Sequence, residues 1–413
     1  MGCNVSDKMK TMVDRDNEKL NGLKMTYVGQ ASLDESGACG GARVKNMVNI
    51  FKRLGIEIDF ISYSILYNKF GIEHKRIDQL LQTTIVHVPG NLPKFLKAFA
   101  IFPVFFYAWK SCKNSDIMFA DFTTVITAIP IVVLGKIFNK PIILDYIDIK
   151  TIKMPNIIYK YMAKNADVIF AISPYLLESV RAEYDCKNVM YVPNFIDTNH
   201  FKIYLKDREK IREELGIKKD EIVIGYIGSF WYVEGIPFLL QAFKNLTKRY
   251  SKIKLAIMGK IYMTDSDDNI PKLIENMNLE NDVILIPSQP HEDVPKFLSA
   301  FDILCCPKID CEINRAANPV KVPEYLSMSL PTVASAVGGI SDTIEDGFDG
   351  FLVKPGDVND LEEKLEWIIL NPEHAKGIGE NGRKNAIEKY SYEAIEDTVR
   401  QGINEVIDMK KMK

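Results

Sequence analysis

Short apolar runs rich in β-branched residues recur along the whole chain, with longer segments of helical period between them. KMTYVG, IEIDFIS, TIVHVPG, DIMFAD, KPIILDY, ADVIFAIS and VMYVPNF predict strands in the first half. Segments such as 41–54 and 156–164 have the length and period of helices. That alternation belongs to a parallel sheet with helices on both faces. It stalls over residues 198–220, where DREKIREELG predicts a solvated helix, and resumes with EIVIGYIGSF, KIKLAIMGK, DVILIPS, FDILCCP and LPTVAS. From residue 357 the pattern is helical with no strand left to feed, so the last helix must pack on a surface already formed. The predicted fold is α/β: two doubly wound, Rossmann-like domains facing across a cleft. The expected division is a disordered leader over 1–22, a first domain over 23–200 and a second over 201–390. A terminal helix over 391–413 is expected to cross back to the first domain.

Composition narrows the class. The 413 residues are 47% apolar and 26% charged, as in a soluble globular protein, and the net charge of −3 gives no electrostatic reason to expect a nucleic-acid partner. Seven cysteines show no zinc spacing, which fits reduced thiols and a cytoplasmic location. The start, MGCNVS, has the form of a Gly2 acylation signal with Cys3 beside it, although a disordered leader accounts for it more simply. The apolar runs AFAIFPVFFYAW and TTVITAIPIVVLG are too short to span a bilayer, which takes about 20 apolar residues. The second predicts a buried helix. The first, between lysines, is either a packed helix or one that rests on a membrane surface through residues 95–110, peripheral on the cytoplasmic face.

Ligands of open parallel sheets bind beyond the carboxyl ends of the strands, so the loops there carry the candidate chemistry. The first strand runs into a glycine-rich loop ending at Gly40–Gly41, and Gly228–Ser229 follow a strand of the second half in the same layout. Such loops let an anion approach backbone N–H groups. In NPVKVPEYLSMSLPTVASAVGG, Asn318 and Pro319 suit a helix start, which sets Lys321 beside exposed backbone donors, ready for a diphosphate. Glu324, a turn later, can accept hydrogen bonds from a ribose diol. A surface ion pair between Lys321 and Glu324 is the plain alternative; the second glycine pair, Gly338–Gly339, near the same rim favours the site. TDSDD, from Thr264, looks like a metal motif but reads better as a solvated turn.

The order of these segments resembles the retaining, nucleotide-sugar-dependent glycosyltransferases of the GT-B fold, known as glycosyltransferase group 1 or family 4. The likeness is carried by GACGGARVKNMVNIFKRLG, NADVIFAISPYLLESV, VPNFIDTNHF, IGSFWYVEGIPFLLQAF, NPVKVPEYLSMSLPTVASAVGG and EDGFDGFLVKPGD. The resemblance implies transfer of a sugar from a nucleotide sugar to a glycan or lipid-linked acceptor in polysaccharide biosynthesis, with no metal and no other cofactor. Glu324 matches the second glutamate of the E-x7-E motif, which holds the ribose; the first position is Ala316, with Glu312 or Arg315 as substitutes. Where the family has its phosphate-binding arginine and lysine stand Ser229 and Glu234. A branch with Gly-Ser-Phe and Pro-x-Lys-x-x-Glu-Tyr makes Lys321 the replacement. The family's histidine has no counterpart, and Asp121 in MFADFTT is the candidate base. The implied catalytic residues are Lys321 and Asp121; the implied donor-binding residues are Gly41, Gly228, Ser229, Lys321, Glu324, Gly338 and Gly339. Two rival readings are a sugar-nucleotide epimerase and a catalytically weak homologue that binds a partner.

Overall fold

The computed structural model describes residues 19–29, 39–66, 69–149, 155–259 and 269–412. The acylation-type start, the first glycine-rich loop up to residue 38 and the TDSDD turn lie outside them. The chain forms two compact units, one reaching to Pro193 and resuming at Ile395, the other covering Asn194–Ala394.

The first unit is built on eight strands: β1 (Lys24–Gly29), β2 (Glu57–Leu66), β3 (Gly71–Arg76), β4 (Leu81–Pro89), β5 (Ile117–Asp121), β6 (Ile142–Tyr146), β7 (Val168–Ala171) and β8 (Val189–Tyr191). Their order is β3-β4-β2-β1-β5-β6-β7-β8. All neighbours run parallel except β3, which is antiparallel to β4. Strand β3, GIEHKR, escaped the sequence reading because it is polar and mostly exposed at the sheet edge. The core is an aromatic cluster in which the Tyr27 ring meets Phe119 at 4.6 Å and Phe60 at 5.0 Å, edge to face. Helix Val125–Ile137, apolar on all sides, is buried along most of its length as expected. The last helix, Tyr392–Lys411, joins this unit from Ile395 onward: Glu396 pairs with Arg53 at 2.7 Å and Asp408 with Lys19 at 2.8 Å.

The second unit holds six parallel strands: β9 (Ile222–Ile227), β10 (Ile253–Gly259), β11 (Val283–Pro287), β12 (Ile303–Cys306), β13 (Thr332–Ser335) and β14 (Phe351–Val353), in the order β11-β10-β9-β12-β13-β14. Alternate residues of each strand feed opposite faces. Ile303 and Cys305 of β12 pack with the helix Ile236–Thr247 side, while Leu304 and Cys306 pack with Val322, Tyr325 and Leu326 on the other. Strand β14, three residues long, was also missed in the sequence. Helix Leu205–Glu214 is less solvated than its composition suggests: Arg212 is buried and donates to Asp302 at 3.1 Å and to the Ala300 carbonyl at 2.9 Å.

Candidate functional site

Chain order reverses direction across the second sheet between β9 and β12, because β10 and β11 lie on one side of β9 while β12, β13 and β14 lie on the other. Loops leaving the carboxyl ends of two such strands part to opposite faces and open a crevice. The loop after β9 carries Gly228, Ser229 and, in the turn Tyr232–Glu234, Glu234. The loop after β12 carries Lys308 and leads to helix Glu312–Ala316. The helix Lys321–Ser327 closes the group.

Its centre is a buried cluster of charge. One oxygen of the Glu234 carboxylate accepts from the Lys321 ammonium at 2.7 Å, and the other from Lys308 at 2.9 Å. Lys308 also donates to the Asn314 side-chain oxygen Oδ1 at 3.1 Å; the Asn314 side-chain nitrogen donates to the Val233 and Ile309 carbonyls, so Oδ1 has to face the lysine. Lys321 reaches the Tyr226 hydroxyl at 3.2 Å and lies over that ring, 4.6 Å from its centre. Burial alone would raise the Glu234 carboxyl, but the charges of Lys321 and Lys308 overturn it and hold the group down at about 2. Burial pulls the Lys321 ammonium down, and Glu234 more than reverses this, leaving it above the ordinary lysine range. Gly228 is glycine for a steric reason: a Cβ there would stand 2.3 Å from the Lys321 nitrogen and 2.7 Å from the Tyr226 hydroxyl.

Lys321 and Glu324 therefore do not form the surface pair of the plain alternative. Glu324, also buried, pairs instead with the ring of His291 at 2.7 Å. The helix start differs from expectation: Lys321 is the first helical residue and Val320 the cap, so Pro323 falls in the first turn, where a proline is tolerated. Asn318 has another task. Its side-chain oxygen accepts from the Asn194 N–H at 3.1 Å, which fixes the amide and leaves its nitrogen buried without an acceptor among the described residues. That nitrogen lies against Gly339, where a Cβ would stand 2.5 Å away. Gly338 has φ of 55°, and a Cβ there would meet the Asn314 carbonyl oxygen at 2.1 Å, so this turn requires glycine. At the expected position of a first glutamate, Ala316 is fully buried. Of its proposed substitutes, Arg315 forks onto Asp310 at 2.6 and 2.8 Å, and Glu312 is exposed.

Gly41 and Asp121 belong to the first unit. The helix Cys39–Arg53 begins two residues before Gly41, which therefore sits inside the first turn rather than in the loop ahead of it. Asp121 ends β5, next to β1 at the first sheet's own reversal, and is completely buried, accepting a long 3.5 Å bond from the Tyr27 hydroxyl. Its register neighbour Asp145 is clamped by Arg43 in two bonds of 2.8 and 2.7 Å.

Residues 207–385, nearly the whole second unit, match the family described as glycosyl transferases group 1. The second unit belongs to that family. Among curated proteins, the chain is 25% identical over 243 residues to N-acetyl-alpha-D-glucosaminyl L-malate synthase of Bacillus anthracis, covering 58% of this chain and 60% of that one. It is 28% identical over 231 residues to the capsular polysaccharide biosynthesis glycosyltransferase CapM of Staphylococcus aureus, covering 55% and 58%. The chain thus spans about three-fifths of the length of these relatives. A solved structure of Anabaena Alr3699/HepE in complex with UDP superposes with a TM-score of 0.71 over 92% of this chain and all of that one, at 17% identity. At that identity the likeness shows the fold, which is GT-B.

Of the group 1 positions, Lys321, Gly228 and Glu234 are brought together by the fold, and Glu324 follows one turn after Lys321. Sequence reasoning missed Lys308, Asn314, Tyr226 and His291. A signal for Lys308 was present: a lone lysine two residues after an apolar strand, at a sheet's carboxyl end.

Proposed function

We propose that the protein is a glycosyltransferase that moves a sugar from a nucleoside-diphosphate sugar to a glycan or lipid-linked acceptor, with retention of anomeric configuration and without a metal. The observation that carries this is the surplus of positive charge at the β9–β12 reversal, where two buried ammonium groups share one carboxylate. A buried site with unbalanced positive charge is suited to an anion. The reading gives Lys321 to the diphosphate, with Ser229 and the N–H groups near Gly228; Glu324 takes the ribose, and the Gly338–Gly339 turn borders the sugar. In the reaction, the bond between the anomeric carbon and the diphosphate oxygen breaks and its electrons stay on the phosphate. The acceptor oxygen bonds to that carbon and gives up its proton, for which Asp121 is the candidate base. Ammonium groups fixed beforehand stabilise the leaving phosphate most where its charge grows. Of the relatives' names, the one that specifies capsular polysaccharide biosynthesis favours a cell-surface glycan acceptor.

The test is incubation with UDP-glucose, UDP-N-acetylglucosamine, UDP-galactose and GDP-mannose, with and without lipid-extract acceptors. Release of the nucleoside diphosphate together with a glycosylated product is expected, and the product's anomeric signal reads the stereochemistry. An altered free nucleotide sugar would make the protein an epimerase. Binding without turnover of any donor would make it a partner protein.

A further inference from the structure

We propose that Glu234 is a positioning residue for the diphosphate subsite: its carboxylate ties Lys308 and Lys321 together at Gly228, so that the charge absent from the β9 loop arrives from β12 and from helix Lys321–Ser327. The inference rests on the reading of this crevice as a nucleotide site and adds what holds it in order. Glu234 stands where the resemblance expects a phosphate-binding lysine, and it looks like a loss in the sequence. In the fold it is almost fully buried and uses both oxygens on cations, at 2.7 and 2.9 Å. It takes no surface position in which an acidic residue would be a neutral change.

The groups facing Lys321 are Tyr226 of β9, Gly228 and Glu234 of the following loop, Cys306 of β12, and Tyr325 of its own helix. Lys308, sharing Glu234, is the other cation of the cluster. Glu234 is the carboxylate bonded to both lysines, and it offsets one of their two charges. Without it two ammonium groups would face each other in a buried place, and burial together with mutual repulsion favours loss of a proton from one of them. A site that should hold a fixed charge at all working pH values would become one that titrates.

The experiment is calorimetric titration of the full chain with UDP, GDP and inorganic pyrophosphate at several pH values from about 6 to 10, a range that reaches the ordinary lysine value. The wild type is expected to bind with little pH dependence on the protein side. Glu234→Gln is expected to bind less tightly, with affinity falling by up to about tenfold per pH unit once a lysine deprotonates. Glu234→Asp, which keeps the charge, should recover the flat profile at reduced affinity. The double variant E234Q/K308Q removes one charge of each sign and serves if E234Q fails to fold. It is expected to bind pyrophosphate more weakly than wild type and to regain a steep alkaline loss as Lys321 titrates. Wild-type affinity with an unchanged pH profile in E234Q, or in the double variant, overturns the proposal. If the wild type binds none of the three probes, the nucleotide reading of the site falls first.

Discussion

Replacing Lys321 with alanine removes one of the two ammonium groups on the Glu234 carboxylate, and the expected consequence is kinetic. Charge on the leaving diphosphate grows toward the transition state, so kcat should fall more than the donor KM rises. A preorganised donor of this kind is typically worth about 2.7–4 kcal/mol, on the order of 10²–10³ in rate. Steady-state comparison with wild type checks it; near-normal kcat would make the cluster structural. Glu324→Ala should instead weaken nucleoside diphosphate binding by about 1.5–3 kcal/mol, the usual worth of hydrogen bonds to a charged group, and calorimetry reads that loss. Glu234 also links the site to stability. Its carboxyl lies at about 2 in the fold against an ordinary 4.5, so the ionised form stabilises the protein above pH 4.5 and the contribution is lost as pH falls toward 2. The difference in denaturation midpoint between wild type and Glu234→Gln should therefore shrink across that window, and a constant difference would mean the carboxylate charge adds nothing.

Elements were legible where their signal was local. Each predicted strand of the second unit is present because its apolar run is bounded by turn residues within a few positions, as in FDILCCP. Strand β3 was not, since an exposed polar edge strand leaves no apolar run to read. Lys321 and Glu324 were legible as close neighbours because one helix carries both. The Glu234–Lys308 pair was not, because 74 positions separate its members and it takes the pairing of β9 with β12 to bring their loops together. The aromatic run was legible as a helix, while its outward face needed the structure. Phe99, Phe102, Phe106 and Trp109 are 58%, 66%, 53% and 39% exposed, spaced three and four apart so that one side of Ile101–Cys112 and the turn before it presents them. Lys113 lies over the Trp109 ring at 3.7 Å, and Lys110 is exposed beside it. Aromatic rings with flanking lysines suit the interface of an anionic bilayer. Flotation with phosphatidylserine-containing liposomes should show binding that salt weakens. Phe102→Ser and Phe106→Ser should each reduce it on the order of tenfold or more, given about 1.5 kcal/mol or more for burying a large apolar side chain. Absence of flotation would turn the acceptor toward a soluble glycan.

At the scale of the whole molecule, two sheets each reverse their chain order once, and the chain passes between the units at Pro193–Asn194 and again at Ala394–Ile395. No helix among the described residues is long and apolar enough to cross a membrane. The metal-free reading proposed above turns on how leaving-group charge would be met. Sugar transfer from a nucleoside diphosphate needs cations on the phosphates, supplied either by a bound metal or by the protein. Here the loop after β12 and the helix Lys321–Ser327 deliver two lysines to the reversal of the second sheet, held by Glu234 and, for Lys308, also by Asn314. A divalent ion placed there as well would meet the repulsion of both ammonium groups, with the Glu234 carboxylate already occupied by them. Transfer activity should therefore be unchanged in excess EDTA and gain little from added magnesium or manganese, measured as nucleoside diphosphate release under saturating donor. A loss on chelation, restored by manganese, would move charge neutralisation to a metal, and the aspartates of TDSDD would be the first to replace with asparagine.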